Sequence, residues 1–312
     1  MTSPKIVPHR VLIHGLPYFG RMLGDLLRRG EWDIRHHPGR HPLDLIALVR
    51  DLHRCDLAYK IGGRIAGSKF LQAAKFLGKD KIIMHWVGSD VLFAQRYLSR
   101  GGKPDPWVVH TVHHWAEVSW IAEEVRQMGL KCDVVPLTSV GVPAQPAPLP
   151  EEFSVLVYTP DLKKAELYGL DTILRVAREL PSVAFRLVGL SEGQIPDPPA
   201  NLKVIGWVQD LRASYEQVTV LWRPTRHDGL SFMVLEALGF GRHVLWSYDF
   251  PGCIRVSGAA EARQELQRLS ELHQQKCLEV NQTGLRVIAE QYHPQQIREE
   301  ILRRFKQVIL ND

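Results

Sequence analysis

Long apolar runs are missing from this chain of 312 residues. No stretch approaches the roughly 20 residues that a helix needs to cross a bilayer, which excludes a helical integral membrane protein. Cysteine is scarce: Cys55, Cys132, Cys253 and Cys277 are scattered and form no C-x-x-C. That spacing argues against a disulfide framework or a structural zinc site and fits a reducing cytoplasm. The start, Met1 to Lys5, lacks the basic-then-apolar layout of a signal peptide. Low-complexity tracts and short-period repeats are also missing. Charge of one sign is only slightly in excess, with 39 Lys and Arg against 34 Asp and Glu, a net charge of +5. Much of the surplus lies between Arg21 and Lys81, Arg29 and Arg40 included. It reads either as a solvated basic face or as attraction to something anionic, and charge alone does not choose.

What is present is a regular alternation of short apolar runs and amphipathic stretches. Arg10–His14, Trp32–His36, Asp56–Ile61 and Lys81–Val87 read as strands. Helical patterns follow, and a further strand-then-helix unit spans Ala116 to Met128 with Ser119 as its N-cap. Strands alternating with helices at this spacing predict a parallel sheet. A proline-rich stretch at 142–152 then interrupts the pattern and reads as a semi-rigid linker. The same grammar restarts at Phe153 and runs to Tyr292, and a final helix follows Pro294. The expected class is α/β, with two Rossmann-like doubly wound parallel-sheet domains facing a cleft. The domains are 1–141 and 153–293, and a terminal helix spans 294–312. Open parallel sheets bind ligands at the carboxyl ends of their strands, so this layout suits a two-part substrate.

The most informative segment is Arg223 to Gly239, which leaves one strand and opens a helix. Backbone amides of Gly229, Leu230 and Ser231 at that start form an anion site suited to a diphosphate. Asp228 precedes the helix, and Glu236 lies about two turns along it, on nearly the same face. Read without a family, the pair is an N-cap and a surface carboxylate on a core helix.

The run from Asp228 through seven residues to Glu236 resembles the E-x7-E signature of retaining glycosyltransferases of the GT-B fold, in particular the large family 4. Other segments agree in order along the chain. Val87-Gly88-Ser89-Asp90 resembles the H-G-x-D turn, and Val118 to Glu124 resembles the S-x-x-x-A-E-E helix start. Tyr168 to Leu174 resembles K-G-x-D-x-L-I, Phe185 to Gly189 resembles F-x-I-V-G, and Leu202 to Trp207 the strand after it. The resemblance implies that a sugar passes from a nucleotide-sugar, UDP- or GDP-linked, to a glycan or lipid-linked acceptor. Retention, no metal and no other cofactor are implied with it, and so is a terminal helix, 294–312, that returns to the first domain. Asp228 stands where the family's sugar-contacting Glu stands and is the catalytic candidate, while Glu236 would accept from the ribose. Gly229, Leu230, Ser231 and Gly15 would face the donor phosphates. His85, Gly88, Ser89 and Asp90 would border the acceptor. The family's Arg and Lys have no clear match: Tyr168 occupies the Lys position, leaving Lys163, Lys164, Arg223 and Arg226 as candidate cations. Lipid-linked acceptors and the basic first domain together suggest a cytoplasmic protein with peripheral contact at an anionic inner membrane face.

Other patterns point nowhere. Gly62 to Lys69 has the phosphate-loop order reversed and reads as a helix start. His85, His110, His113 and His114 lack any metal-ligand spacing. No nucleic-acid module is recognisable, which leaves no nucleic-acid partner. Two rival readings stand beside the transferase. One is a sugar-nucleotide epimerase on the same fold. The other is a non-catalytic binding or partner protein, suggested by the missing Arg and Lys.

Overall fold

The computed structural model describes residues 8–28, 32–37, 42–141, 143 and 146–310. Arg29, Arg40 and residues 142, 144 and 145 of the proline-rich stretch lie outside them. The chain divides into two compact units, Met1–Ser139 with Pro294–Asp312, and Val140–His293.

In the first unit, strands and helices alternate as β1 (His9–Gly15), α1 (Pro17–Leu27), β2 (Trp32–His37), α2 (Pro42–Arg54), β3 (Leu57–Ile61) and α3 (Lys69–Phe76). There follow β4 (Ile82–Trp86), α4 (Ser89–Ser99), α5 (Pro106–Thr111), β5 (His113–Ala116), α6 (Ser119–Gln127) and β6 (Cys132–Val134). The strands pair in parallel in the order β2-β1-β3-β4-β5-β6. Every residue of β3 and β4 is buried, which is why both read as mostly apolar runs, interrupted only by Lys60 and His85. Ser68 caps α3, accepting from Leu71 N at 3.4 Å, so the reversed phosphate-loop pattern is a helix start. Ser119 is not a cap. It is the first helical residue of α6, and Val118 at the cap position offers no side-chain acceptor. Helices α4 and α5 escaped the sequence reading. The second is set by Asp105, which accepts from Trp107 N at 2.9 Å, and by Pro106 at the first helical position.

In the second unit the order is β7 (Ser154–Tyr158), α7 (Leu170–Glu179), β8 (Ala184–Val188), β9 (Leu202–Gly206), α8 (Arg212–Glu216) and β10 (Val220–Arg223). It continues with α9 (Phe232–Gly239), β11 (His243–Trp246), β12 (Cys253–Arg255), α10 (Ala259–Gln274) and α11 (Gln282–Gln291). The parallel sheet runs β12-β11-β10-β7-β8-β9. The final helix, α12 (Pro294–Leu310), belongs to the first unit. It buries Ile297, Ile301, Leu302, Phe305 and Val308, with Phe305 stacked on Trp115 at 6.1 Å and edge-on to Tyr59 at 5.3 Å.

The described part of the proline-rich stretch does not hang free between the units. Arg242 is fully buried and donates to Pro148 O at 2.9 Å and Ala147 O at 3.0 Å. His273 Nε2 lies 2.8 Å from Pro150 O. A proline-rich segment keeps its carbonyls but has few N–H groups to pair in a ladder, so those carbonyls are available to a buried guanidinium.

Candidate functional site

The second sheet reverses its winding between β7 and β10. The chain leaves β7 toward β8 on one side and β10 toward β11 on the other. Right-handed crossovers therefore place α7 and α9 on opposite faces and open a crevice at the carboxyl ends of the two strands. Those ends are Tyr158 and Arg223. Val155, Val157, Val220 and Trp222 join the core with α7 and α10. Alternation along the strands then puts Tyr158 and Arg223 on the other face.

Arg223 is 7% exposed, an unusual residue to end an apolar strand. Its Nε donates to Asp228 Oδ2 at 2.5 Å, and its guanidinium carbon lies 5.2 Å from the Tyr168 ring and 5.9 Å from the Tyr158 ring. Burial works against its charge, yet Asp228, then Tyr168, hold the guanidinium above the ordinary arginine range. Asp228 is anchored from both ends. Its N–H donates to the Tyr248 hydroxyl at 2.9 Å, and Thr225 Oγ1 donates to its carboxylate at 3.4 Å.

Asp228 is therefore not the helix cap. Ser231 is, accepting from Val234 N at 3.4 Å, and α9 begins after it. The buried turn Gly229-Leu230-Ser231 makes no backbone N–H hydrogen bond among the described residues, so three donors remain beside the ion pair. Glu236 sits within α9 and accepts from the Tyr215 hydroxyl at 2.8 Å. Burial raises its pKa, and the Tyr215 bond opposes the shift. The two carboxylates thus have separate partners, one in the turn and one on the helix.

The other predicted cations are placed differently. Arg226 is exposed and pairs with Glu166 at 2.5 Å and Asp171 at 3.5 Å. Lys163 and Lys164 are exposed on a short 3-10 turn, Leu162–Lys164, and their side chains make no hydrogen bond or ion pair among the described residues. A cavity of about 390 Å³ opens beside the loop, lined in part by Gly169, Thr172, Trp222, Pro224, Thr225 and Ser257. Sequence reasoning missed Tyr158, Tyr215 and Tyr248. An aromatic at a strand end was the signal for Tyr158. The other two had none.

In the first unit the predicted residues have mainly structural surroundings. Gly15 ends β1 at φ 131°, and a Cβ there would lie 2.0 Å from Ile61 O. His85 is fully buried, with Tyr59 Oη 2.5 Å from its Nδ1. Burial pushes its pKa down to about 3, so it is a neutral core residue and does not border a surface. Gly88 takes φ 135° at the cap of α4. The Asp90 carboxylate accepts from Gly63 N at 2.5 Å, Gly88 N at 2.8 Å and Val87 N at 3.2 Å, tying the loops after β3 and β4 together. Ser89 is exposed. Part of the basic surplus has partners within the unit: Asp51 pairs with Arg35 and Arg50, and Lys60 donates to Gly62 O. No cluster of metal-ligating side chains occurs among the described residues, and no described helix is long and apolar enough to cross a membrane.

No protein-family model matches the sequence, and no curated protein matches it either. Solved structures do. Sucrose-phosphate synthase from Thermosynechococcus elongatus aligns over 97% of this chain and 100% of its own, with a TM-score of 0.69 and 11% identity. HepE from Anabaena, solved with UDP and glucose, aligns over 96% and 100% at a TM-score of 0.66 and 13% identity. The lipopolysaccharide outer core galactosyltransferase WaaB aligns over 94% and 98% at 0.64 and 13%. The chain has the GT-B fold. Identities this low carry the architecture alone, and in that GT-B frame the crevice between β7 and β10 belongs to the second Rossmann-like unit.

Proposed function

We propose that the protein is a glycosyltransferase, of hexosyltransferase type, that moves a sugar from a nucleotide-sugar to a glycan or lipid-linked acceptor. The observation that carries this reading is the buried Arg223 at the end of β10, beside the start of α9 and three amides that make no hydrogen bond among the described residues. A cation, free N–H groups and a helix N-terminus together favour a diphosphate. Glu236, pre-held by Tyr215, suits ribose hydroxyls. HepE, with UDP and glucose bound, gives the nearest chemical precedent among the similar structures named. Catalysis would be chiefly electrostatic, with positive charge and amides stabilising the leaving diphosphate as its charge grows. Retention, metal independence, a UDP- or GDP-linked donor, and a cytoplasmic protein in peripheral contact with an anionic membrane are the finer parts of the proposal. They rest on the motif resemblance and the basic first unit.

A second reading, a non-catalytic binding protein, is favoured by one observation: Arg223 and Arg226 are both already paired with carboxylates. The test is release of free nucleotide from UDP- and GDP-sugars with and without candidate acceptors. Acceptor-dependent release supports the transferase. Tight nucleotide binding without any release across the donor panel supports the binding protein.

A further inference from the structure

We infer that Arg223 and Asp228 form a charge latch: Arg223 is the cation that receives the ligand's diphosphate, and Asp228 is a positioning residue that occupies Arg223 until the ligand arrives. The inference rests on the donor-site reading above and changes the part given to Asp228, from contacting the sugar to holding the guanidinium.

A guanidinium that is 7% exposed needs a counter-charge, because an unpaired buried cation is costly. Asp228 supplies it at 2.5 Å and is itself fixed by Thr225 and Tyr248. Tyr158 and Tyr168 wall the guanidinium with their rings, which orients the cation without neutralising it. The neighbouring turn, Gly229 to Ser231, holds amides that make no bond among the described residues. An incoming diphosphate satisfies those amides and Arg223 together, but it meets the Asp228 carboxylate at the same place. Like charges a few ångströms apart repel, so Asp228 keeps anion affinity below what Arg223 alone would give. Arg226 does not offer the same service, since it faces Glu166 and Asp171 on the exposed side of the loop.

The prediction is a sign reversal. Removing the charge of Asp228 tightens anion binding, whereas removing a sugar-contacting carboxylate would leave a nucleoside diphosphate unaffected. Calorimetry at fixed ionic strength with inorganic pyrophosphate, UDP and GDP reads this in the wild type, Asp228→Asn, Arg223→Met and the double variant. Asp228→Asn is expected to bind pyrophosphate about tenfold more tightly, and Arg223→Met at least about tenfold more weakly, than the wild type. Should Asp228→Asn fail to fold with its cation unpaired, two further variants carry the test. Tyr248→Phe loosens the Asp228 backbone anchor and is expected to tighten pyrophosphate by about twofold. The double variant, which buries neither charge, is expected to bind pyrophosphate more weakly than the wild type, because the receiving cation is gone. Unchanged or weaker pyrophosphate binding in a folded Asp228→Asn or Tyr248→Phe protein overturns the latch. Pyrophosphate binding that follows this pattern without any UDP or GDP binding keeps the latch and sinks the nucleotide-sugar reading. Nucleotide binding that ignores Asp228 does the opposite.

Discussion

The Tyr215 hydroxyl donates to Glu236 Oε2 across 2.8 Å, from the five-residue helix α8 to the middle of α9. The bond orients a carboxylate that burial pushes toward its neutral form, a shift that the bond opposes. If Glu236 accepts from ribose hydroxyls, Glu236→Ala removes charge-assisted bonds worth roughly 1.5–3 kcal/mol, and nucleotide affinity falls about ten- to a hundredfold. Tyr215→Phe removes only the orienting bond, about 0.5–1.5 kcal/mol, and the loss is roughly two- to tenfold. Titration of UDP and GDP against both variants checks the order. Equal affinity in wild type and Glu236→Ala would remove Glu236 from the site.

How much of this was legible depended on distance along the chain. The strand and helix flanking residues 223–239 were readable, because an apolar run followed by Gly and Ser before a second apolar run is a local signal. The ion pair of Arg223 and Asp228 was not, although only five positions separate them. It depends on how the turn folds back, and Asp just before a helix reads more simply as a cap. Tyr168 over Arg223 joins residues of different loops, and Tyr215 reaches Glu236 from a helix too short for a periodic signal. In the first unit, Asp90 read as a site residue because its neighbours match a motif. Its carboxylate is instead saturated by backbone N–H groups of two loops.

An activity assay alone would not separate a packing role of Gly15 from a binding role. At φ 131°, with Ile61 O 2.0 Å from the position of a Cβ, alanine fits neither the backbone nor the space. Gly15→Ala is expected to destabilise the first unit by at least about 2 kcal/mol with no ligand present. A melting curve of the unliganded variant measures this. An unchanged melting temperature would show that β1 and β3 separate enough to admit a methyl group.

Helix α12 completes the first unit from the far end of the chain. Phe305 meets Trp115, Tyr59 and, at 6.0 Å, Trp32, so it joins strands β5, β3 and β2 to one helix. Phe305→Ala leaves a cavity among those rings and is expected to cost about 3–5 kcal/mol. Deleting residues 294–312 should have a larger effect of the same kind. Hydrogen exchange is the measurement: amides of β3 and β5 should lose protection in both variants. Wild-type protection there would mean that the sheet holds its core without the helix.

Glu117 follows β5 and is 1% exposed. Its Oε1 accepts from Thr138 N at 2.9 Å and Thr138 Oγ1 at 2.5 Å, while Oε2 has no partner among the described residues. Burial outweighs the Thr138 bonds and pushes the carboxyl up to about 8, from an ordinary 4.5. The folded protein therefore keeps this proton to about pH 8, whereas the unfolded chain releases it near 4.5. Stability from the group is full below 4.5 and is lost as pH rises through about 8. The slope is at most about 1.4 kcal/mol per pH unit within that window. Glu117→Gln keeps the Thr138 acceptor and cannot ionise, so its melting temperature relative to the wild type should climb between pH 5 and pH 8 and level off above. His85 and His114, held neutral by burial, shape both curves alike and cancel in the difference. A pH-independent difference between the two proteins would mean that Glu117 is already ionised in the folded state and that its Oε2 finds water.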